Sequence, residues 1–310
     1  MRVGIFSKSP HTETMSLIEA FKARSIKPSV FSPSNISVQL GLPYKSFREI
    51  RDTPEKFRPT LKAIDNEIIN LSDYSGFLIR GGVRSSSFEQ RMFRRNILHI
   101  LDLLGKKLMN SPRSIELSAD KCATSTLLQA NGLPTPRTIV CETTKSAIKG
   151  FNELGGKVVV KPVYGSKGRG LIYLDEIGIA ERIFFYLASI NAVIYLQEFI
   201  KHPGRDIRVI VLGKEALCAM YRVSDHDWKT NIHAGGKPVY CPITDEIAEL
   251  AIKSSEILGL ELAGIDLLET KNGYTVLEAN SQPGWSGMMK VQNIDIPGKI
   301  VDYFISTLKR

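Results

Sequence analysis

Cysteine is scarce in this 310-residue chain: Cys122, Cys141, Cys218 and Cys241 are scattered, and no two stand as a C-x-x-C pair. Neither a zinc module nor a disulfide framework is expected, and a reducing compartment, the cytoplasm, is the expected location. No run of ~18 apolar residues occurs, so no membrane span is expected. The opening MRVGIFSKSP has too short an apolar run for a signal peptide and reads as a first strand. There is no internal repeat, no low-complexity segment and no Gly/Ser linker. Neither G-x-x-x-x-G-K-[ST] nor G-x-G-x-x-G occurs, which removes the two best-known phosphate loops. No zinc finger or RNP motif supports a nucleic-acid partner, and no Ser/His/Asp constellation stands out.

What is present fits a globular protein of two or three lobes, with 43% hydrophobic and 24% charged residues. The net charge of +9 suits an acidic partner, whether nucleic acid, anionic surface or acidic small molecule. The basic residues are spread out, except in EQRMFRRN, where Arg91, Arg94 and Arg95 share about one helical turn. That cluster reads equally as a solvated helix face. RVGIFS and PSVFSP read as strands around the helix ETMSLIEAFKARS. YSGFLIRGG, the helix SFEQRMFRRNILHILDLLG and the short strand KKLMNSP continue the alternation, which predicts an open α/β lobe. From about Ser114 the pattern changes. SIELSADKCATSTLLQANG reads as one helix stopped by glycine. The rest is strand-rich, apart from the helices GIAERIFFYLAS and TDEIAELAIKSSEILGL and the closing IPGKIVDYFISTLKR.

KPVYGSKGRG, residues 161–170, lies between KVVVKPV and LIYLD, both β-branched and apolar, so the glycines form a hairpin tip. Gly165, Gly168 and Gly170 let backbone N–H groups approach phosphate oxygens, and Lys167 and Arg169 between them suit a mobile lid. Lys161 ends a strand after three valines. Burying an ammonium alone is costly, and a phosphate partner removes that cost. Lys121 falls in a helix, where a plain surface lysine is the simplest reading.

The strongest constellation is GIDLLETKNGYTVLEANSQPGW. KNG is a turn signal, and a hairpin centred near Asn272 sets Asp266 opposite Glu278, with Asn280 two residues on along the same face. Leu267, Leu277 and Ala279 would then face a core. Directly opposed carboxylates repel, so a cation is expected between them. An Asp/Glu/Asn oxygen set suits Mg²⁺; an exposed acidic face is the plainer alternative. In YLQEFIKHPGRDIRVIVLG a strand ends at Gln197–Ile200, and Asp206 and Arg208 alternate on one side of the next. Arg208 is a permanently charged donor suited to developing phosphoryl charge. RVSDHDWKTNIHAGGKPV reads as a functional loop without the spacing of a histidine metal site.

Together these segments resemble the RimK-like branch of the ATP-grasp ligases over nearly the whole chain. The resemblance rests on NSPRSIELSADK, VVVKPVYGSKGRG, LQEFI, GRDIRVIVLG, WKTNIHAGG, AGIDLLE and VLEANSQPGW. It implies an α/β and α+β architecture: an ATP-grasp fold preceded by an open α/β (pre-ATP-grasp) domain. The divisions expected are 1–112, a central lobe 113–190 with the glycine-rich lid, and a C-terminal lobe 191–310 with the metal site. It implies that Lys121 and Lys161 touch ATP phosphates, that Glu198–Phe199 is the adenine hinge, and that Asp206 contacts the ribose. Lys229, Thr230 and Asn231 match a nucleotide-contacting loop. Asp266, Glu278 and Asn280 match ligands of Mg²⁺, two ions with Mn²⁺ as a substitute. Arg208 and Arg222 match stabilisers of the phosphoryl group. The pattern departs at His233, where relatives often carry arginine. The implied reaction joins a carboxylate and an amine through an acyl phosphate, with L-glutamate and an acidic carboxylate acceptor as partners and neither nucleic acid nor membrane. Members of the branch add glutamate to a ribosomal protein tail, a deazaflavin coenzyme or a methanopterin-type carrier, and RGGVRSSSFEQRMFRRN, MYRVSDHDWKTNIHAGG and NSQPGW look most like the methanopterin-directed group. A non-catalytic nucleotide-binding scaffold is the reading from another class, and a homo-oligomer is compatible with the sequence.

Overall fold

The computed structural model describes residues 1–8, 11–41, 46, 48, 59–64, 68–81, 87–165, 168–224, 228, 230 and 235–308. The chain divides into two units, Met1–Arg113 with Asp295–Arg310, and Ser114–Ile294.

In the first unit, β1 (Val3–Phe6), α1 (Thr12–Lys22), β2 (Ser29–Phe31), β3 (Ile36–Gln39), β4 (Thr60–Ile64), β5 (Ile68–Asn70), β6 (Gly76–Ile79), α2 (Phe88–Leu103) and β7 (Lys107–Met109) follow in order. A parallel sheet runs β2-β1-β6-β7. Every residue of β1 and β6 is buried, as parallel strands covered on both faces require. The small antiparallel sheet β3-β4-β5 was not legible in the sequence; its strands have three to five residues, too short for a period to show. The helix Ile296–Leu308 packs on α1 through Phe304 against Phe21, ring centroids 6.3 Å apart, and through Asp302 bound to Arg24.

The helices α3 (Pro112–Ala119, of which Ser114 onward belongs to the second unit) and α4 (Lys121–Ala130) come next. The sequence reads these as one helix, but Asp120 is extended and its carboxylate accepts from the N–H groups of Cys122 and Ala123. An aspartate that caps the next helix breaks the preceding one, and Lys121 thereby becomes the first residue of α4. Then come β8 (Thr138–Cys141), α5 (Thr144–Glu153), β9 (Val158–Lys161), β10 (Ile172–Leu174), α6 (Ile177–Ser189) and β11 (Ile194–Glu198). They build an antiparallel sheet ordered β10-β9-β11-β8. This sheet extends to Glu198, beyond residue 190. A second antiparallel sheet, β14-β13-β12-β15-β16, uses β12 (Arg205–Leu212), β13 (Glu215–Val223), β14 (Lys237–Tyr240), β15 (Leu262–Thr270) and β16 (Gly273–Asn280), with α7 (Asp245–Ile257) between β14 and β15 in the chain.

Each sheet has one apolar face and one cleft face, as strand alternation dictates. Val158, Val160 and Leu196 pack with Phe151 of α5 and Phe184 of α6, leaving Val159, Lys161, Tyr195 and Gln197 on the opposite face. Ile207, Val209, Ile265 and Leu267 pack with Ile247 and Ala251 of α7, leaving Asp206, Arg208 and Asp266 opposite. Among the described residues no helix is long and apolar enough to cross a membrane.

Candidate active site

Within the second unit the two sheets border a cleft that opens to solvent. Its apolar lining comes from Val159, Leu171, Phe199, Ile200, Leu268 and Leu277. Its charged lining includes Lys121, Lys161, Asp206, Arg222, Asp266 and Glu278. A cleft that combines apolar walls with charge of both signs suits a base joined to a polyphosphate.

The charged part is a row across the second sheet. Asp206 is the ladder partner of Arg222, and Arg208 of Asp266, which in turn opposes Glu278. Arg222 Nε donates to Asp206 Oδ1 at 2.7 Å, and its Nη2 reaches both Asp206 and Asp266, the latter at 2.9 Å. Arg208 forks onto Asp266 through Nε and through Nη2 at 2.8 Å. Gly264 makes room for that fork: a Cβ there would lie 2.9 Å from Arg208 Nη1 and 2.7 Å from Pro283 Cβ. Burial works against the charge on Asp266, but Arg208 and Arg222 outweigh it and hold its carboxyl below the usual range. Burial likewise opposes the Arg222 charge, and Asp266 and Asp206 raise its pKa above the ordinary value. Protein cations also face the opposed carboxylates: two arginines on Asp266, and Lys121 Nζ 3.6 Å from Glu278.

The Asp266–Glu278 pairing arises by a different route from the one the sequence suggests. Thr270 pairs with Gly273 and Leu267 with Val276, so the turn is centred between Lys271 and Asn272. That register alone would set Leu277 opposite Asp266. A bulge at Leu277 inserts one residue and brings Glu278 into place. Ala279 and Leu267 face the core as expected, whereas Leu277 faces the cleft, because a bulge lets two successive side chains leave the same side.

Lys161 Nζ donates to Gln197 Oε1 at 2.5 Å. Burial pushes its pKa down to about 8; Glu278 and Asp266 oppose the shift and Lys121 adds to it. Lys121 stands at the positive end of α4, an unfavourable place for a cation, but Glu278 is near and Gly165 O accepts from its Nζ at 3.1 Å. Its own N–H donates to Val163 O, and Tyr164 Oη donates to Asp120 Oδ2 at 3.0 Å. The start of the glycine loop is therefore fastened to the α4 N-terminus. Gly168 and Gly170 take φ of 67° and 75°, a region where a Cβ is strained.

Of the other expected residues, Gly165, Gly168, Glu198, Phe199 and Thr230 border the cleft, while Gly170, Arg208 and Asn280 do not. Lys167, Lys229, Asn231 and His233 lie outside the described residues. Glu198 turns its carboxylate to Arg137, accepting from its backbone N–H and Nε, both at 2.8 Å, so any contact of this hinge residue with a base falls to its main chain. Sequence reasoning missed Gln197, His202, Val159, Leu268 and Leu277 as cleft residues. Val159 and Gln197 were recoverable from alternation with Lys161 and Phe199. His202, whose imidazole burial holds below its ordinary pKa, carried no signal. Asp266, Glu278 and Asn280 offer only oxygen and amide donors, and no group of three or more His, Cys, Asp and Glu gathers among the described residues. That donor set fits Mg²⁺ and not a soft metal.

Over its whole length the chain is 30% identical to the tetrahydromethanopterin:alpha-L-glutamate ligase of Methanocaldococcus jannaschii, with all of both chains covered. It is also 30% identical to the probable alpha-L-glutamate ligase of Rhodopirellula baltica, over 98% of this chain and 70% of that one. The structure of the ATP-grasp ligase PsnB with a precursor variant, Mg and ADP is similar in fold, with a TM-score of 0.74 at 22% identity over 99% of this chain and 98% of that one. Residues 118–304 match the RimK-like ATP-grasp domain, and with a full-length relative at this identity the chain belongs to the RimK-like ATP-grasp ligases.

Proposed function

We propose that this ligase joins the amine of L-glutamate to a carboxylate of a methanopterin-type coenzyme at the expense of ATP. The observation that carries the reading is the cleft, which combines apolar walls with two lysines and the Arg222–Asp206 and Asp266–Glu278 pairs. The full-length similarity to ligases named for tetrahydromethanopterin and alpha-L-glutamate supports the substrate pair. In this reading the two sheets of the second unit grip the nucleotide. The base lies between Val159 and Leu277, a main-chain carbonyl at Glu198–Phe199 reads its edge, Asp206 holds the ribose, and Lys229, Thr230 and Asn231 are assigned to nucleotide contact. Lys121 and Lys161 hold phosphates. Asp266, Glu278 and Asn280 would hold Mg²⁺, two ions with Mn²⁺ as a substitute, and the metal when bound screens phosphate charge.

The acceptor carboxylate oxygen attacks the γ-phosphorus and the bond to ADP breaks, giving an acyl phosphate. The glutamate amine then attacks the carbonyl carbon, the C–O bond to phosphate breaks, and the nitrogen loses a proton. Phosphoryl transfer needs positioning and charge neutralisation more than a protein nucleophile. Arg222 and Arg208 are held rigidly by Asp206 and Asp266, and rigid dipoles and charges are what stabilise developing charge. The test is incubation with Mg-ATP, L-glutamate and tetrahydromethanopterin, followed by mass spectrometry. A product heavier by one glutamyl residue is expected; no mass change with this acceptor, alongside turnover of another, overturns the choice of coenzyme.

A further inference from the structure

We propose that Gln197 is a positioning residue for nucleotide binding, which holds the Lys161 ammonium in place and ties it to the helix that carries Lys121. The inference rests on the reading of Lys161 as a phosphate contact. Gln197 is 2% exposed and lies on the cleft face of β11, diagonal to Lys161 on β9, whose direct partner is Tyr195. An ammonium can only donate, so the amide presents Oε1 to Lys161 Nζ and must turn Nε2 the other way. There Nε2 donates to Thr138 Oγ1 at 3.1 Å and to Tyr195 Oη at 3.2 Å. Thr138 gives its own hydroxyl proton to Pro136 O at 2.9 Å, so its oxygen is left as an acceptor. Tyr195, 1% exposed, accepts from Gln197 and can pass its proton on to Ser125 Oγ, 2.8 Å away.

Ser125 is four residues after Lys121 on α4, and positions four apart share one helix face. The chain Lys161–Gln197–Tyr195–Ser125 thus runs from one lysine to the helix face of the other; the ammonium and the amide fix the direction of the first two links, and either hydroxyl can donate in the last. A lysine has a flexible stem and three rotatable donors. Fixing it before the nucleotide arrives removes an ordering cost from binding. Only an amide satisfies this place: leucine leaves the ammonium without its acceptor, and a carboxylate has no hydrogen for Thr138.

The test measures binding of Mg-ATP and of adenosine by titration calorimetry, with no acceptor present, so that its result is independent of which coenzyme is glutamylated. Gln197→Leu should weaken Mg-ATP about tenfold and adenosine by less than about twofold, since adenosine fills the slot but has no phosphate for Lys161. In a Lys161→Met background the same change should cost nothing further, because coupled residues are non-additive. Tyr195→Phe, which keeps the packed ring and cuts the link to Ser125, should weaken Mg-ATP about threefold with adenosine unchanged, and serves if Gln197→Leu does not fold. Equal losses for ATP and adenosine, a further tenfold loss on top of Lys161→Met, or full ATP affinity in Tyr195→Phe would each overturn the role. If Lys161→Met itself binds Mg-ATP normally, the phosphate assignment of Lys161 falls, and the role of Gln197 with it.

Discussion

Asp266 and Glu278 face each other across one ladder position and carry different loads. Asp266 is fully buried under two arginines, and removing one member of such a set costs about 3–5 kcal/mol because the others keep uncompensated charge. Glu278 is part-exposed, with Lys121 at 3.6 Å, a contact worth at most about 1 kcal/mol. Thermal melts should therefore show Asp266→Asn strongly destabilised and Glu278→Gln within a few degrees of the parent, about 1 kcal/mol or less. Ligation should be lost in Glu278→Gln all the same, since only the ionised group can hold a metal against phosphate; an active Glu278→Gln protein would remove Glu278 from the metal site and leave the pair a structural ion cluster. Lys161 gives a pH signature. Its folded pKa of about 8 lies below the ~10.4 of an unfolded lysine. Between these values the native state holds fewer protons than the unfolded one, so this group's contribution to stability rises with pH across that window. Phosphates arriving beside it favour the ammonium, so nucleotide binding should take up about one proton near pH 9 and weaken as pH climbs above 8. Calorimetry in buffers of different ionisation enthalpy reads the uptake directly, and Lys161→Met should abolish it.

At the scale of elements, the sequence was most legible where alternation and turn chemistry act alone. Three valines and a lysine on β9 left Lys161 facing either core or ligand, and the pairing with β11 sets it on the cleft face. It was least legible where one residue changes the count. Nothing in YTVLEAN marks Leu277 as a bulge, so the right carboxylate pair was reached from a turn half a residue away, and the slot wall formed by Leu277 was taken for core. The Asp120 break between α3 and α4 did carry a signal, an aspartate before a helical run, masked by helical periodicity on both sides. The glycine loop joins these themes. Its first part is held to α4 through Val163, Tyr164 and Gly165, whereas Gly168 and Gly170 occupy the left-handed region. Alanine at both positions is strained by about 1 kcal/mol each. The double variant should raise ATP hydrolysis relative to ligation, or stop both, because a cover that fits poorly admits water to the acyl phosphate. Hydrogen exchange across residues 162–172 should show new protection with Mg-ATP at 168–170 and little change at 163–165. Protection already high at 168–170 without nucleotide would make this hairpin a fixed wall.

For the molecule as a whole, the chemistry turns on which phosphorus is attacked. A ligase can activate a carboxylate at the α-phosphorus, releasing pyrophosphate and forming AMP, or at the γ-phosphorus, releasing ADP. Cations flank the acidic pair: Lys121 lies 3.6 Å from Glu278, and Arg222, another cleft residue, reaches Asp266 at 2.9 Å. In the acyl-phosphate reaction proposed for this chain, these cations face the transferred phosphoryl group, so attack falls on the γ-phosphorus. A basic chain, +9 overall, also favours arrival of an acidic acceptor and a triphosphate, and raised salt should slow both by screening. One ADP and one phosphate are therefore expected for each amide formed, with no AMP. The bond changes allow a stricter check. The acceptor's carboxylate oxygen bonds to the γ-phosphorus and leaves with it when the amine attacks the carbonyl. Oxygen-18 placed in that carboxylate should appear in inorganic phosphate, one atom per turnover. Label recovered in AMP would mean attack at the α-phosphorus, and the assignment of Arg208 and Arg222 to the transferred phosphoryl group would fail with it.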